Sequence, residues 1–466
     1  MGGFFGVVSK SDCVKEVFFG TDYHSHLGTC RGGMAARQGD VITRYIHDIT
    51  NTQFRSKFDE DVEKMAGNSA IGVISDYDDQ PLIINSHLGT YAIVTVGVIQ
   101  NAEELAEVAC RERKIHFSEM SGGELNPTEL VATLIDEEDS FADGIECAMD
   151  AIEGSCSLLL LTEEGIYAAR DRVGRTPVII GERDGAFAAT MDTCAFPNLD
   201  FEIKRDLGPG EVVLMTPEAL VQKKPARERM QICSFLWVYY GYPVSTYEGI
   251  NTEQVRYRCG AALAKRDDTE PDLVSGIPDS GVAHAIGYAN ESGRPYQRPF
   301  VKYTPTWPRS FMPQHQPIRD LVARMKLIPI KELIEGKSLL FCDDSIVRGT
   351  QMQDNVDCLH GYGAKDVHIR IACPPLVYGC KFLNFSRSRS SLDLASRREI
   401  KDMEGSENDR LPEYADSDSE CHCNMVERIR VRLGLSSLKY QRIEDMVEAI
   451  GLPKEKLCTY CFDGAE

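Results

Sequence analysis

The ten residues FCDDSIVRGT (341–350) constrain this chain more than any other stretch. The apolar run SLLF ahead of them reads as a buried strand that delivers two adjacent carboxylates, Asp343 and Asp344, to its carboxyl end. A short loop containing Ser345, Gly349 and Thr350 then opens a helix. The first N–H groups and the dipole of that helix point at whatever occupies the loop, an arrangement that suits a phosphate dianion. The acid pair cannot serve the phosphate, which it would repel. It calls for hydroxyls or a cation, and a ribose with Mg2+ supplies both. The plainer alternative is that the acids and Ser345 only cap the helix.

The surrounding chain alternates strand, loop and helix. PDLVSGIPDSGVAHAIGYANESG (271–293) reads as a strand to Ile277, a loop from Pro278 to Gly281 and a helix to about Ser292. Residues 337–363 repeat the plan and VHIRIACPP (367–375) is the next strand, which implies a parallel sheet. The first half differs, with short β-rich runs such as SAIGVIS (69–75), YAIVTVG (91–97), SCSLLLLT (155–162) and PVIIGERDGAFAAT (177–190). Helical stretches fall near 102–111 and 128–136, and KKPARER (223–229) reads as a polar linker. Domains over 1–228 and 229–466 are expected. Within the second, residues 386–425 are rich in Ser, Arg, Asp and Glu and read as a surface insertion or mobile segment.

Charge narrows the partners. A net charge of −21 disfavours nucleic acid and anionic membranes, so any phosphate site must be built locally. No apolar run approaches the roughly 20 residues that span a bilayer, and no basic start precedes a hydrophobic segment. A cytoplasmic protein is expected, and with it reduced thiols for the 16 cysteines. Cys458-x-x-Cys461 has metal-ligand spacing, but two ligands do not close a tetrahedral site. Spacing alone leaves zinc, an iron–sulfur cluster and unligated thiols open.

The full string 341–350 resembles the phosphoribosyl pyrophosphate (PRPP) signature of type I phosphoribosyltransferases. VSGIPDSGVAHAIGYA, RPFVKY, VARMKL, IACPPL and CTYCF, with GGFFGV, RDRVGRTPVIIG, MDTCAFPNLD and LGPGEVVLM in the first half, resemble the amidophosphoribosyltransferase family, the glutamine-PRPP enzymes that open purine synthesis. The resemblance implies an α+β N-terminal-nucleophile-type (αββα) glutamine amidotransferase domain followed by an α/β type I phosphoribosyltransferase domain with a parallel sheet, and a homotetramer. By the same resemblance Ser345, Ile346, Val347, Arg348, Gly349 and Thr350 cradle the 5′-phosphate. Asp343 and Asp344 hold the ribose hydroxyls and, with Ser280, Mg2+. Lys302, Arg324 and Lys326 face the pyrophosphate, and PRSF (308–311) matches a segment that closes over substrate. A branch of the family carries a structural [4Fe–4S] cluster on four positions that are here Cys233, Cys380, Cys458 and Cys461. Cys373 is the nearby confounder, and Cys421-x-Cys423 has poor spacing for a second site.

The amidase motifs depart from the family. Its nucleophile is an initial Cys whose own α-amine is the base; Gly2 stands in that place, and neither Cys13 nor Cys30 can supply a terminal amine. The family's H-N-G-N-L reads TVGVI (95–99), which keeps Gly97 but puts Val96 where an amide donor belongs. Its glutamine-binding Arg falls on Ser75, and S-D-T-E becomes NPTE with Pro127 in place of the Asp. RGGMA (31–35) still resembles the family's R-G-x-x-x-A. The expectation is a fold that persists without its amidase and a transferase that makes 5-phosphoribosylamine from PRPP, with free ammonia or ammonia from a separate glutaminase. The alternative is a non-catalytic PRPP- or nucleotide-sensing paralogue, weakened by the retained acid pair.

Overall fold

The computed structural model describes residues 2–466 other than 77, 114–116, 118–119, 122–123, 304–326 and 384–389. Its first half is four layers deep. The strand Gly3–Ser9 is buried along its whole length because both of its faces are covered. Phe5 and Val7 pack with Val14, Val17 and Phe58 of the helices Val14–Asp22 and Phe54–Val62. Phe4 and Val8 pack instead against Leu159 and Leu161 of a second sheet. On the far side of that sheet Leu158 and Leu160 meet Leu130, Val131, Ile145 and Met149 of the helices Pro127–Ile135 and Phe141–Ala151. The order is helices, seven-stranded sheet, six-stranded sheet, helices: the αββα architecture that the family resemblance implied. Continuous apolar runs are what strands buried on two faces require.

The second half is built on a four-stranded parallel sheet in the order Leu273–Gly276, Ser338–Asp343, Asp366–Ile371 and Ser437–Tyr440. The helices Thr252–Lys265 and Val282–Ser292 pack closely through two glycines. A Cβ on Gly260 would lie 1.9 Å from the His284 carbonyl oxygen, and one on Gly287 2.1 Å from that of Tyr257. The halves meet at the buried Asp192, which accepts hydrogen bonds from the Tyr242 N–H (3.1 Å), the Tyr247 hydroxyl (3.0 Å) and Ser245 of the second half. From the first half His26 Nε2 lies 3.2 Å away.

The stretch 386–425, expected as a surface insertion or mobile segment, instead carries the helices Ala395–Glu404, Leu411–Ala415 and Glu420–Arg432 from residue 395 onward. Ile400, Tyr414 and Met425, one from each helix, are buried, and His422, Met425 and Ile429 line one face of the last helix. Glu399, itself buried, pairs with Arg428 at 3.0 Å. Among the described residues no helix is long and apolar enough to cross a membrane.

One buried ion pair anchors the parallel sheet. Arg370 and Asp267 side chains are both fully buried, joined through Arg370 Nε and, at 3.0 Å, Nη2. Replacing Asp267 by Ala leaves Arg370 charged without its carboxylate, and we expect a loss of about 3–5 kcal/mol in urea unfolding; a loss below about 1 kcal/mol would contradict this account. Burial raises the Asp267 carboxyl, but Arg370, Tyr288 and Lys439 outweigh it and hold the group well below the usual carboxylate range. The contribution is therefore complete above the unfolded carboxylate pKa of about 3.9 and disappears as pH falls through the lower folded value.

Candidate active site

The strand Ser338–Asp343 buries Leu339 to Cys342 and ends on the acid pair, as its sequence implied. Parallel pairing sets Gly276 opposite Cys342, and the Ile277 N–H donates to the Cys342 carbonyl at 3.0 Å. This brings the loop Pro278–Gly281 alongside the acids, where Ser280 Oγ donates to Asp343 Oδ1 at 3.2 Å. The Asp344 N–H donates to the same oxygen at 3.0 Å, and Ser345 Oγ donates to Asp344 Oδ2 at 2.5 Å. Burial and the neighbouring Asp344 charge push the Asp343 carboxyl well above the ordinary range. Burial also raises Asp344, against the pull of Ser345, Ser280 and the buried Arg256. Two buried carboxylates side by side are costly until a cation or hydroxyl donors arrive.

The loop beyond them turns into the helix Thr350–Gly361 through Gly349, whose φ of 78° lies in the left-handed region that suits glycine. The loop is held from outside by the segment previously expected to be mobile. Ala395 N–H donates to the Val347 carbonyl at 2.7 Å, Arg398 donates to that of Arg348, and the Arg348 side chain reaches Asp393 at 3.4 Å. Lys302, at the end of the strand Phe300–Lys302, pairs with Asp279 in the loop that carries Ser280. The structure thus brings Ser280, Lys302, Asp343, Asp344 and residues 345–350 to one end of the sheet. Arg324, Lys326 and the PRSF segment lie outside the described residues.

In the first half Gly2 runs against the neighbouring strand. A Cβ there would lie 2.4 Å from the Ile74 carbonyl oxygen and 3.4 Å from Ser75 Cα, both backbone atoms that cannot swing away. Ser75 Oγ accepts from the Asp78 N–H at 3.1 Å, so it secures its own loop. Further along that loop the buried Gln80 side chain bridges the backbone of Thr95, accepting at 2.7 Å and donating at 3.2 Å. Thr95 and Thr128 hydroxyls are 2.7 Å apart, and Asn126 caps the helix that begins at Pro127 while its Nδ2 donates to the Asp79 carbonyl at 3.1 Å. Val96 is buried and apolar, and Gly97 has φ of 144°; a Cβ there would lie 1.9 Å from the Ser155 carbonyl oxygen. The positions of Gly2, Ser75, Val96 and Pro127 supply no nucleophile, no guanidinium, no side-chain amide and no carboxylate.

Four cysteines from distant positions converge at the junction of the halves. Ile232–Cys233 pairs in parallel with Leu457–Cys458, which makes Cys233 and Cys458 register partners. The Val377 and Tyr378 N–H groups donate to the Cys461 carbonyl at 3.1 and 3.0 Å, drawing the segment that carries Cys380 onto the terminal helix. The Cys461 and Cys380 thiols hydrogen-bond one another, and this contact with burial raises Cys461 well above the usual thiol range. Burial raises Cys233 and Cys458 as well. Among the described residues no three His, Cys, Asp or Glu side chains are grouped to hold a single metal ion. Cys373 is apart from the four, beside Asp344 and Cys259, and the Cys421 thiol donates to Glu413 at 3.5 Å.

Sequence reading did not single out Arg256, Arg398 or Gln80. Each acts on residues far away in the chain, and no local spacing marks it.

Residues 68–195 match the family model of a glutamine amidotransferase domain. The whole chain is 30% identical to the amidophosphoribosyltransferase of Methanocaldococcus jannaschii, covering 97% of that protein. It is 28% identical to the Bacillus subtilis enzyme of the same name, over 99% of this chain and 93% of that one. A solved structure of glutamine PRPP amidotransferase from B. subtilis, in complex with ADP and GMP, superposes with a TM-score of 0.85 at 28% identity, over 99% of this chain and 96% of that chain. A structure described as the allosteric regulatory enzyme of purine biosynthesis gives the same TM-score at 27% identity.

Proposed function

The chain belongs to the amidophosphoribosyltransferase family, and on that premise we propose that it forms 5-phosphoribosylamine from PRPP with ammonia, free or delivered by a separate glutaminase, and does not hydrolyse glutamine itself. The division of labour we propose falls near residue 228, with an N-terminal amidase fold that has lost its chemistry and a transferase beyond it. The observation that carries the reading is the contrast between the two centres. The buried Asp343–Asp344 pair is assembled beside a phosphate loop, whereas Gly2 is backed onto the Ile74 carbonyl with no room for a nucleophile.

In the reaction the bond from ribose C1 to the pyrophosphate oxygen breaks, pyrophosphate leaves with the electron pair, and the ammonia lone pair forms the new C–N bond as a proton is released. Residues 345–350 would fix the 5′-phosphate through backbone N–H groups and the Ser345 and Thr350 hydroxyls. Asp343 and Asp344 would hold the ribose hydroxyls and stabilise the positive charge that develops on the ring. Lys302, with Arg324 and Lys326, would take up charge on the departing pyrophosphate. Asp343, Asp344 and Ser280 offer oxygen donors only, the acids disfavoured as a bare pair, and this set fits Mg2+, which binds through one or two carboxylates and substrate phosphates. When bound, Mg2+ supplies Lewis-acid stabilisation of pyrophosphate oxygens. Cys233, Cys380, Cys458 and Cys461 would hold a [4Fe–4S] cluster with a structural role.

The test is pyrophosphate release by the full chain with Mg2+ and PRPP, supplied in turn with glutamine and with ammonium at mildly alkaline pH. Release with ammonium and none with glutamine is the expected result. Glutamine-dependent release would overturn it, and PRPP binding without release under either condition would favour a sensing protein.

A further inference from the structure

The phosphate loop is shaped from outside. Among the described residues no N–H of residues 345–349 donates a hydrogen bond, so no internal bond of that kind fixes which way its peptides face. Two successive carbonyls of the loop are instead taken by the first turn of the helix Ala395–Glu404. The Ala395 N–H donates to the Val347 carbonyl at 2.7 Å, and Arg398 Nη2 donates to the next one, that of Arg348. The helix start is itself fixed, because the Ser396 hydroxyl donates to the Leu376 carbonyl and Ile400 is fully buried.

Capture of two successive carbonyls has a directional consequence. The 347–348 and 348–349 peptides are trans, and in a planar trans peptide the N–H points opposite to the C=O. With both carbonyls turned to the helix, the Arg348 and Gly349 N–H groups are turned away from it, to the open side of the loop. A carbonyl on that side would present negative charge to a phosphate, whereas successive N–H groups form a concavity that binds anions. Arg398 is free to serve in this way. Its Nε has no hydrogen-bond partner, and among the described residues no carboxylate pairs with its guanidinium, which leaves the Arg348 carbonyl as its hydrogen-bond acceptor.

We propose that Arg398 is a positioning residue for the 5′-phosphate: together with the Ala395 N–H it holds two peptides of the loop so that their N–H groups face that phosphate. The inference rests on the placement of the 5′-phosphate on residues 345–350 given above. Arg398 touches the backbone of the loop and not the substrate, and transfer at the ribose is left to the acid pair. Contacts to the 5′-phosphate are the same before and during transfer, so their loss raises the KM for PRPP and leaves kcat nearly unchanged.

The probe is ribose 5-phosphate, which carries the phosphomonoester without the pyrophosphate, titrated calorimetrically into the full chain. The KM for PRPP in ammonium-supported pyrophosphate release is measured beside it. Arg398→Met removes the donor and is expected to weaken ribose 5-phosphate binding about tenfold, the scale of a hydrogen bond from a charged donor, and to raise KM by a similar factor with kcat within about twofold. Arg398→Lys keeps a charged donor on a long stem and is expected to recover most of the affinity. Ala395→Pro deletes the other N–H at the first helical position, where proline is tolerated and where Leu394 already has the extended backbone that precedes a proline; it too is expected to weaken binding. Lys401→Met removes an exposed charge from the same helix and is expected to change neither quantity. Unchanged affinity in Arg398→Met would overturn the assignment, as would an equal loss in Lys401→Met, which would show a charge effect acting at a distance. Native protein that binds no ribose 5-phosphate would overturn the placement of the phosphate and the inference with it. Binding without pyrophosphate release would count against the transferase reading alone, and the Arg398 comparison would still decide. Should Arg398→Met fail to fold, Ala395→Pro carries the test, and native affinity in that variant would overturn the proposal.

Discussion

Replacing Asp343 and Asp344 together by Asn is expected to lower ammonium-supported pyrophosphate release by at least about 10³-fold, since removal of even one preorganised electrostatic group in an active site typically costs about 10²–10³. The substitution is nearly isosteric and removes the two charges that would face the developing ribosyl cation and bind the metal. It also relieves the cost of two buried carboxyls, both raised by burial, with Asp343 raised further by the charge of Asp344. Thermal unfolding without ligand should therefore occur at the same or a higher temperature, while the stabilisation that PRPP and Mg2+ confer on the native chain is lost. A drop in activity with a matching drop in stability would indicate damage to the strand and not the chemistry. Full turnover in the double variant would remove the acid pair from the mechanism.

The second large effect is one that restoration should fail to produce. Gly2→Cys, with the amino terminus exposed at residue 2, is expected to leave glutamate release from glutamine at background. The new Cβ would collide with the Ile74 carbonyl oxygen, 2.4 Å away, so the thiol cannot be seated without moving the strand Ser69–Ser75. Even a seated thiol would lack the side-chain amide donor at Val96, worth about 10²–10³ in rate, and the guanidinium and carboxylate that Ser75 and Pro127 replace. Adding Val96→Asn is expected to change little for that reason. Glutamate release approaching the rate of ammonium-supported transfer in the single variant would show that the site is far less altered than its geometry indicates.

How much could be read without coordinates varied with the range of the interactions involved. The β-rich character of the first half was legible from its continuous runs, of which Gly3–Ser9 and Gly154–Leu161 are buried nearly throughout, whereas the αββα layering was implied by the family resemblance. The acid pair and its loop were legible because strand, acids, glycine turn and helix follow one another within thirteen residues of chain, where local geometry determines placement. Residues 386–425 were read from composition, which carries no period: from residue 395 onward Ile400, Tyr414 and Met425 are buried, one in each of three helices. The glutamine site was legible as a set of missing side chains. That Gln80 ties the loop after Ser75 to Thr95, and that Gly2 has no room for a Cβ, depended on strands and loops brought together from separate parts of the chain.

By itself the sequence determined which chemistry this protein carries in its own residues: a carboxylate pair ahead of a phosphate loop, four cysteines in separated positions, and glycine where a nucleophile would stand. Only the tertiary structure decided which of those groups share a site. Parallel pairing of Leu273–Gly276 with Ser338–Asp343 brings Ser280 to Asp343, and pairing of Ile232–Cys233 with Leu457–Cys458 joins cysteines more than two hundred residues apart. The physical reason is the reach of the forces. Propensity, capping and hydrophobic period act over a few residues and are written locally, whereas charge balance between Asp343 and Asp344 depends on which groups water has been excluded from together.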